Sequence, residues 1–560
     1  MGVQRRPRNV AIGIQDFAEL IQKNCFYVDK TDFIREWWES NDSVTLIARP
    51  RRFGKTLNIS MLEHFFSNKY AGQGELFEGL SIWENEEYRK IQGTYPVISL
   101  SFANVKENTF QKTLARIYQI LTDLYNKHIF LLDSGLLTEE EKRFFTSVNS
   151  RMDETTATIA IHYLANFMSR YYGKKVIILL DEYDTPMQEA YVNGFWDDLV
   201  AFTRSMFNST FKTNPYMERA MMTGITRVSK ESIFSDLNNL KVVTTTSQEY
   251  ATAFGFTEEE VFAAMDEMGL SDKEQVKRWY DGFVFGNVCD IYNPWSIINY
   301  LDTGKLNTYW ANTSGNGLVG KLIREGNREI KESFESLLAG ETITTTLDEQ
   351  IVYNQLNRRE GAIWSLLLAS GYLKVVSADI KEERYELCLT NYEVKRMFDK
   401  MVSGWFDMSE GSYNDFIKAL LLGDLDAMNE YMNRVSLSVF SCFDTGNRPS
   451  GAEPERFYHG FVLGLMVDLR NRYVITSNRE SGFGRYDVML EPKDKADDAF
   501  ILEFKVFNRR REQTLSDTVA SALAQIEEKN YAAVLMEKGI PETKIRKYGF
   551  AFEGKNVLIG

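Results

Sequence analysis

RPRRFGKT, residues 49–56, ends in Gly54-Lys55-Thr56, the close of the phosphate-loop pattern G-x-x-x-x-G-K-[ST]. That pattern opens on a glycine, and this chain has Arg49 there. The neighbouring residues decide whether the stretch is a nucleotide loop. Such a loop joins a buried strand to a helix, so that backbone N–H groups converge on phosphate at the helix N-terminus. SVTLIA (43–48) is a short β-rich apolar run, and TLNISMLEHFF (56–66) spaces Leu57, Ile59, Met61, Leu62, Phe65 and Phe66 as a helix does. In this reading Arg51, Arg52, Phe53 and Gly54 cradle the nucleotide. Lys55 reaches the β- and γ-phosphates, and the Thr56 hydroxyl ligates Mg²⁺.

A magnesium nucleotide also needs carboxylates, and KKVIILLDEYD (174–184) supplies them. Val176 to Leu180 read as a strand buried on both faces, ending in Asp181-Glu182. Asp181 is expected to hold the metal through water and Glu182 to polarise the attacking water. Two acids closing an ordinary strand would look the same in isolation; the pairing with GKT favours the nucleotide reading. YPVISLSF (95–102) and ERAMMTGIT (218–226) add two strands, which predicts a parallel α/β sheet with its ligand at the C-terminal strand ends. Thr223 and Thr226 then stand near the γ-phosphate. Arg227 is a candidate phosphate sensor or arginine finger, with a plain surface arginine an equal alternative.

Composition sets the class. The chain has 560 residues, 44% hydrophobic and 26% charged, which suits a globular protein of two to four domains. Its net charge of −14 excludes a general polyanion binder, so nucleic acid would need a local basic patch such as Arg5-Arg6 with Arg8, Arg49/Arg51/Arg52 or Arg509–Arg511. Cys25, Cys289, Cys388 and Cys442 form no C-x-x-C pair, and the four histidines are scattered, which argues against a disulfide framework and a zinc site. No signal-peptide stretch or membrane-length apolar run is present, so the expectation is a cytoplasmic protein with no membrane partner. No aromatic-rich basic platform for single strands is apparent along the sequence.

Four domains are expected. Residues 1–240 form the ATPase core and 241–345 a helical lid, with capping boxes at Thr257/Glu260 and Ser271/Glu274 and a stop at Gly269. In 346–444, IWSLLLASGYLKVV and RYELCLT suggest a helix and hairpin of winged-helix type, and GDLDAMNEYMNRVS (423–436) a connecting helix. From 445 to 560 the reading is a helix over 453–469, then strands RYVITSN, RYDVML and AFILEFKVF. A helix over about 513–528 follows, with YAAVLM (531–536) as a fourth strand. Glu503 and Lys505 lie two apart in a strand and share a face, with Asp487 on the preceding strand and fifteen residues between the two acids. Asp487 and Glu503 are candidate ligands for Mg²⁺ or Mn²⁺, and Lys505 would orient the nucleophile or neutralise charge. A buried ion pair in so apolar a strand would be costly without such a purpose.

RPRRFGKTLNISMLEHFF, YVDKTDFIREW (27–37), LLDEYDTPM (179–187) and TGITRVSKESIFSDLNNL (223–240) together resemble the predicted AAA-ATPase-like family of bacterial proteins, whose members carry a C-terminal PD-(D/E)XK nuclease-like domain. The resemblance implies that an arginine at 49 is normal, and that Tyr27 to Thr31 approach the adenine. FYHGFVLGL, SNRESGFGRYDVML and ILEFKV carry the nuclease-like part. It implies an acidic metal-site residue in the first helix, Glu455, and a Gln and Tyr pair, Gln525 and Tyr531. The motif's proline is replaced by Tyr486. The resulting expectation is an α/β chain. It joins a P-loop NTPase sheet, a helical lid and a winged-helix-like middle to a PD-(D/E)XK domain, and it uses ATP and Mg²⁺ to process or defend against DNA. RNA ranks below DNA, and a homo-oligomer is expected as for many such ATPases. The alternative is an ATP-driven switch or scaffold whose nuclease-like domain binds nucleic acid without cutting it.

Overall fold

The computed structural model describes residues 8–226, 233–234, 237–310, 319–320, 322–323, 328–347, 360–379, 381–404, 413–439, 462, 466, 469, 472–477, 480–481, 484–485, 487–508, 511–553 and 556–560. Arg227, Glu455, Tyr486, Arg509, Arg510, Arg5, Arg6 and most of the helix expected over 453–469 lie outside the described residues. The chain divides into two compact units, one of residues 1–319 with 340–397, the other of 320–339 with 398–560.

The first unit is built on five parallel strands: β1 (Val44–Ala48), β2 (Val97–Ser101), β3 (Val176–Asp181), β4 (Met217–Gly224) and β5 (Leu240–Val243), in the order β2-β3-β4-β1-β5. All of β1 and β3 is buried, as their unbroken apolar runs require of parallel strands covered on both faces. Strand β4 lies between them, pairing Ile47 with Thr223 on one side and Leu180 with Met222 on the other. The chain passes from β1 into helix α1 (Lys55–Phe66). That helix is buried nearly all round, at Ile59, Met61, Leu62, His64, Phe65 and Phe66, rather than along one stripe. Helix α2 (Glu154–Tyr172) leads into β3 and α3 (Thr185–Asn193) leaves it.

The sheet runs past residue 240, because β5 is its fifth strand. Beyond it, the segment expected to be a helical lid also contains a small antiparallel sheet. Strands β6 (Phe256–Thr257), β7 (Phe283–Phe285) and β8 (Val288–Tyr292) pair in the order β6-β8-β7 among helices α4 (Glu258–Met268), α5 (Lys273–Tyr280) and α6 (Pro294–Thr303). Thr257 and Glu260 form the expected capping box, and Gly269 closes α4. The box expected at Ser271 is absent. Helix α5 starts at Lys273 behind Asp272, with no side-chain cap, so Glu274 falls one position too early to reach back. Strand β9 (Ile343–Thr346), helix α7 (Glu360–Ala369) and the hairpin β10 (Leu373–Asp379) and β11 (Arg384–Leu389) make a three-stranded sheet, β10-β11-β9, with its helix.

The second unit centres on a mixed sheet. Strands β12 (Tyr473–Ser477), β15 (Val488–Pro492), β16 (Ala499–Val506), β17 (Ile545–Glu553) and β18 (Asn556–Ile559) stand in that order, and a small hairpin, β13 (Glu480–Ser481) with β14 (Gly484–Arg485), is inserted between β12 and β15. Strand β16 alternates strictly. Phe500, Leu502 and Phe504 pack with Phe416, Leu420, Met428 and Tyr431 of helices α8 (Tyr413–Leu422) and α9 (Leu425–Val439). Ala499 and Ile501 face Ile526 of α10 (Leu515–Glu528) and Ala532 and Leu535 of α11 (Ala532–Glu537). Residues 413–439, read from sequence as connector, are therefore one covering layer of this sheet. The fourth strand expected at 531–536 is a helix: Ala-Ala-Val-Leu-Met holds strong helix formers and one β-branched residue. The strand pairing in parallel with β16 is β17.

Candidate functional site

Two groups of side chains stand out, one in each unit. At the C-terminal edge of the parallel sheet the chain turns through Arg52 at φ +66° and Gly54 at φ +80° into α1. Gly54 supplies no side-chain cap, so the first-turn N–H groups of α1 are left for a ligand. The Thr56 hydroxyl donates to Asp181 Oδ2 at 2.8 Å, and the Thr223 hydroxyl donates to Asp181 Oδ1. Strand order explains this meeting, since β4 inserts Thr223 between the P-loop strand and the acidic strand. Glu182 follows at φ +50°, a left-handed conformation rare for a non-glycine, with its N–H donating to Thr223 Oγ1 at 3.2 Å. Sequence reading anticipated each of these residues, and the fold brings Thr56, Asp181, Glu182 and Thr223 together.

Lys55 is buried and donates to the carbonyls of Arg49 (2.9 Å) and Pro50 (2.8 Å). Burial pushes its pKa down, against the pull of Glu182, Asp181 and Asp184. Burial likewise raises Asp181, while the Thr223 and Thr56 hydroxyls favour its charged form. The other loop side chains are turned to neighbours. Arg51 donates to Gln188 Oε1 at 3.0 Å, Arg52 lies 4.3 Å from the Trp295 ring, and buried Phe53 packs on Phe283 and Phe285. Near the strand entry, the Asp29 carboxylate accepts from Thr31 and from the Ser81 N–H, and Tyr27 packs on Phe17.

Arg49, the departure from the glycine pattern, is fully buried. Its guanidinium donates to the carbonyls of Ala48 (3.2 Å), Thr244 and Glu249 (3.2 Å), and lies 4.5 Å from the Phe285 ring. It ties the start of the loop to the chain leaving β5. Burial lowers its pKa, yet an arginine stays protonated through the working range. Arg49→Ala is expected to lower unfolding free energy by about 3 kcal/mol, since buried carbonyls would lose their donors. A urea melt of the two proteins measures this, and an unchanged midpoint would contradict it.

Asp184, not anticipated from sequence, is also buried. Its Oδ2 accepts from the N–H groups of Ile225 and Thr226 (2.9 Å each) and from the Thr226 hydroxyl (3.0 Å). It pins the chain leaving β4, just ahead of position 227. At Gly224 a Cβ would stand 2.6 Å from the Tyr183 ring and 2.8 Å from Asp184 Oδ1, so a larger residue forces this turn apart.

In the second unit, the β15–β16 register, carried one residue beyond Val488–Leu502, sets Asp487 opposite Glu503. Asp487 immediately precedes the strand, and its Oδ2 accepts from the Phe504 N–H at 2.8 Å. Glu503 is 3% exposed. Gln525 on α10 donates to Glu503 Oε1, and its own Oε1 accepts from Lys505 Nζ at 2.7 Å. Tyr531 Oη is 3.5 Å from Gln525 Nε2, and its pKa is raised first by burial, with Glu503 and Asp487 adding to it. Two carboxylates and a lysine thus converge on the α10 side of the sheet, the oxygen-rich set that suits a hard divalent cation.

A third acidic group, Glu258, Asp281 and Asp290, lies beside Lys277 in the β6–β8 region. Burial first, and then Asp290, push Asp281 up to about 7. A carboxyl raised in the fold contributes stability below its ordinary range and loses it as pH rises towards 7. Asp281→Asn is therefore expected to match the parent's melting temperature near pH 4 and exceed it at pH 8. A constant difference across that range would contradict the shift.

Comparison with known proteins agrees with this division. Residues 11–234 match the family described as predicted AAA-ATPase, and residues 453–560 match the PD-(D/E)XK nuclease superfamily. Over 547 residues the chain is 24% identical to an uncharacterized protein in the vnfD 5'region of Azotobacter chroococcum mcd 1, covering 95% of each chain. Among solved structures, the Aeropyrum pernix ORC2 protein, in ADPNP–ADP complexes, matches at 9% identity. That match covers 66% of this chain and 92% of that one, with a TM-score of 0.24. No described helix is long and apolar enough to cross a membrane. Residues 11–234 are thus similar to the predicted AAA-ATPase family, and residues 453–560 to the PD-(D/E)XK nuclease superfamily.

Proposed function

We propose that this protein binds and hydrolyses ATP at Lys55, Thr56, Asp181, Glu182 and Thr223, and that its C-terminal module is a Mg²⁺-dependent phosphodiesterase acting on DNA. The observation that carries the first half is the meeting of Thr56 and Thr223 on the two oxygens of one buried carboxylate, Asp181. Phosphate entering the loop would draw Lys55 Nζ from the Arg49 and Pro50 carbonyls to the β- and γ-oxygens. Glu182, held by the Thr223 hydroxyl, would accept a proton from the attacking water, and Thr223 would report the γ-phosphate to both acids. Thr56 Oγ1 and Asp181 Oδ2 fit one magnesium ion, as Asp487 and Glu503 fit another. Bound there, the metal supplies charge neutralisation and a more acidic water.

In the second unit, Lys505 would orient the nucleophile or neutralise the phosphate, and the Gln525 amide bridges Lys505 and Glu503. ATP turnover in the first unit would gate cutting in the second, a pairing suited to processing DNA or defending against it. ATP hydrolysis and cleavage of linear and circular duplex DNA, assayed side by side on the full chain with Mg²⁺ or Mn²⁺, test both halves. A folded protein without ATP turnover sinks the first. Hydrolysis with no cutting under any condition would shift the reading to an ATP-driven switch that binds nucleic acid. A cutting rate indifferent to ATP removes the gating.

A further inference from the structure

Far from the nucleotide loop, at the opposite edge of the parallel sheet, three aromatic rings face solvent together. Phe130, Tyr171 and Tyr172 are 37%, 42% and 38% exposed. Their centroids are 5.2 Å apart for Phe130 and Tyr171, 4.8 Å for Tyr171 and Tyr172, and 6.5 Å for Phe130 and Tyr172. Helix α2 ends at Tyr172, and the chain turns at Gly173 so that Lys174 and exposed Lys175 follow the rings into β3. On the other side the His128 ring is 6.1 Å from Phe130. Burial chiefly lowers its pKa, and the charges of Lys127 and Lys69 add to this. Lys127 precedes His128 in the chain, and Tyr172 hydrogen-bonds with Asn68, the neighbour of Lys69.

Lys69, Lys127, Arg170, Lys174 and Lys175 gather around the rings, with Asp133 among the same stretches, Glu141 against Arg170, Glu218 acting on Lys174, and Glu63 and Asp16 acting on Lys69. Arg170 is engaged by Glu141, Lys174 lies over the Tyr95 ring and exposed Lys69 donates to Tyr70 Oη at 3.0 Å, while Lys127 and Lys175 are exposed. A second copy of the same face is a poor occupant, because a two-fold contact sets each cation against its own kind. The three rings meet edge to face, at 61°, 68° and 85° to one another, so each leaves part of its surface to solvent beside the lysines, an arrangement that suits an anionic chain with unpaired, stackable bases. No single segment shows this platform, since it is assembled from stretches about forty and sixty residues apart in sequence.

We propose that this surface binds single-stranded nucleic acid, with Phe130, Tyr171 and Tyr172 stacking on bases and Lys69, Lys127 and Lys175 meeting phosphates. The proposal is independent of both catalytic readings. Its test is fluorescence anisotropy of labelled oligothymidylate, oligouridylate and a duplex with the full chain, in EDTA so that nothing is cut. Tyr171→Ala/Tyr172→Ala is expected to weaken single-strand binding about tenfold or more. Lys127→Glu/Lys175→Glu should weaken it and flatten its salt dependence. The charge-reversal variant alters only exposed side chains, so it keeps the test open if the tyrosine variant folds poorly. Preference for oligouridylate over oligothymidylate would support the site with RNA as its ligand. No binding by the parent protein, parental affinity in both variants, or binding of duplex with no response to the tyrosines would each overturn the proposal.

Discussion

Lys55→Ala is expected to reduce ATP hydrolysis by at least about 100-fold, the loss typical of removing one preorganised donor from a site of developing charge. Lys55 is buried and meets two loop carbonyls, with Asp181, Glu182 and Asp184 as its charged surroundings. Removing it costs the phosphate its counter-charge and leaves those carbonyls without a donor. Thr56→Ala separates the two effects. It spares the lysine, removes the hydroxyl that meets Asp181, and should raise the magnesium requirement. Steady-state phosphate release, with thermal melting as a control for folding, measures both. Parental turnover in a folded Lys55→Ala protein would remove this site from catalysis.

Glu503→Gln is expected to abolish DNA cleavage, by about 1,000-fold or more, while leaving ATP turnover within twofold of the parent, as expected where charged groups act together at a transition state. The substitution keeps size and removes one of two facing carboxylates. Its new amide would also oppose the Gln525 amide that now donates to Glu503. Lys505→Ala should lose comparable cutting through a different atom, because its ammonium sits on the same face and shares Gln525. Gel assays on supercoiled plasmid, with both variants run against the parent, decide the matter. Cutting that survives in both would assign it to another site or a contaminant.

Much of this was readable from sequence because the decisive signals are local. An apolar run before GKT and another before Asp181-Glu182 are enough to predict two buried parallel strands, and both are present at the expected residues. The alternation Phe500, Leu502, Phe504 against Glu503 and Lys505 likewise predicts which side of β16 carries the two charged residues. What sequence left open depends on distant pairings. That Thr223 meets Asp181 follows from the insertion of β4 between β1 and β3, a fact of topology rather than of any motif. Arg49 reads as a missing glycine until its partners, near residues 244–249, are known. The strand expected at 531–536 misled because a short apolar run has no period by which to tell helix from strand. The layer formed by 413–439 was hidden for a similar reason: an amphipathic helix shows that it has an apolar face, not which sheet that face covers.

The place of β4 also gives the protein its own spectroscopic probes. Met221 and Met222 are fully buried and point to opposite faces of the sheet; Met222 sits between Leu46 of β1 and Leu180 of β3 and directly precedes Thr223. Methyl-labelled methionine would therefore place one NMR reporter above and one below the strand that joins the two motifs. Titrating nucleotide into such a sample would follow the loop and the acidic strand together, with no dye attached and no residue changed.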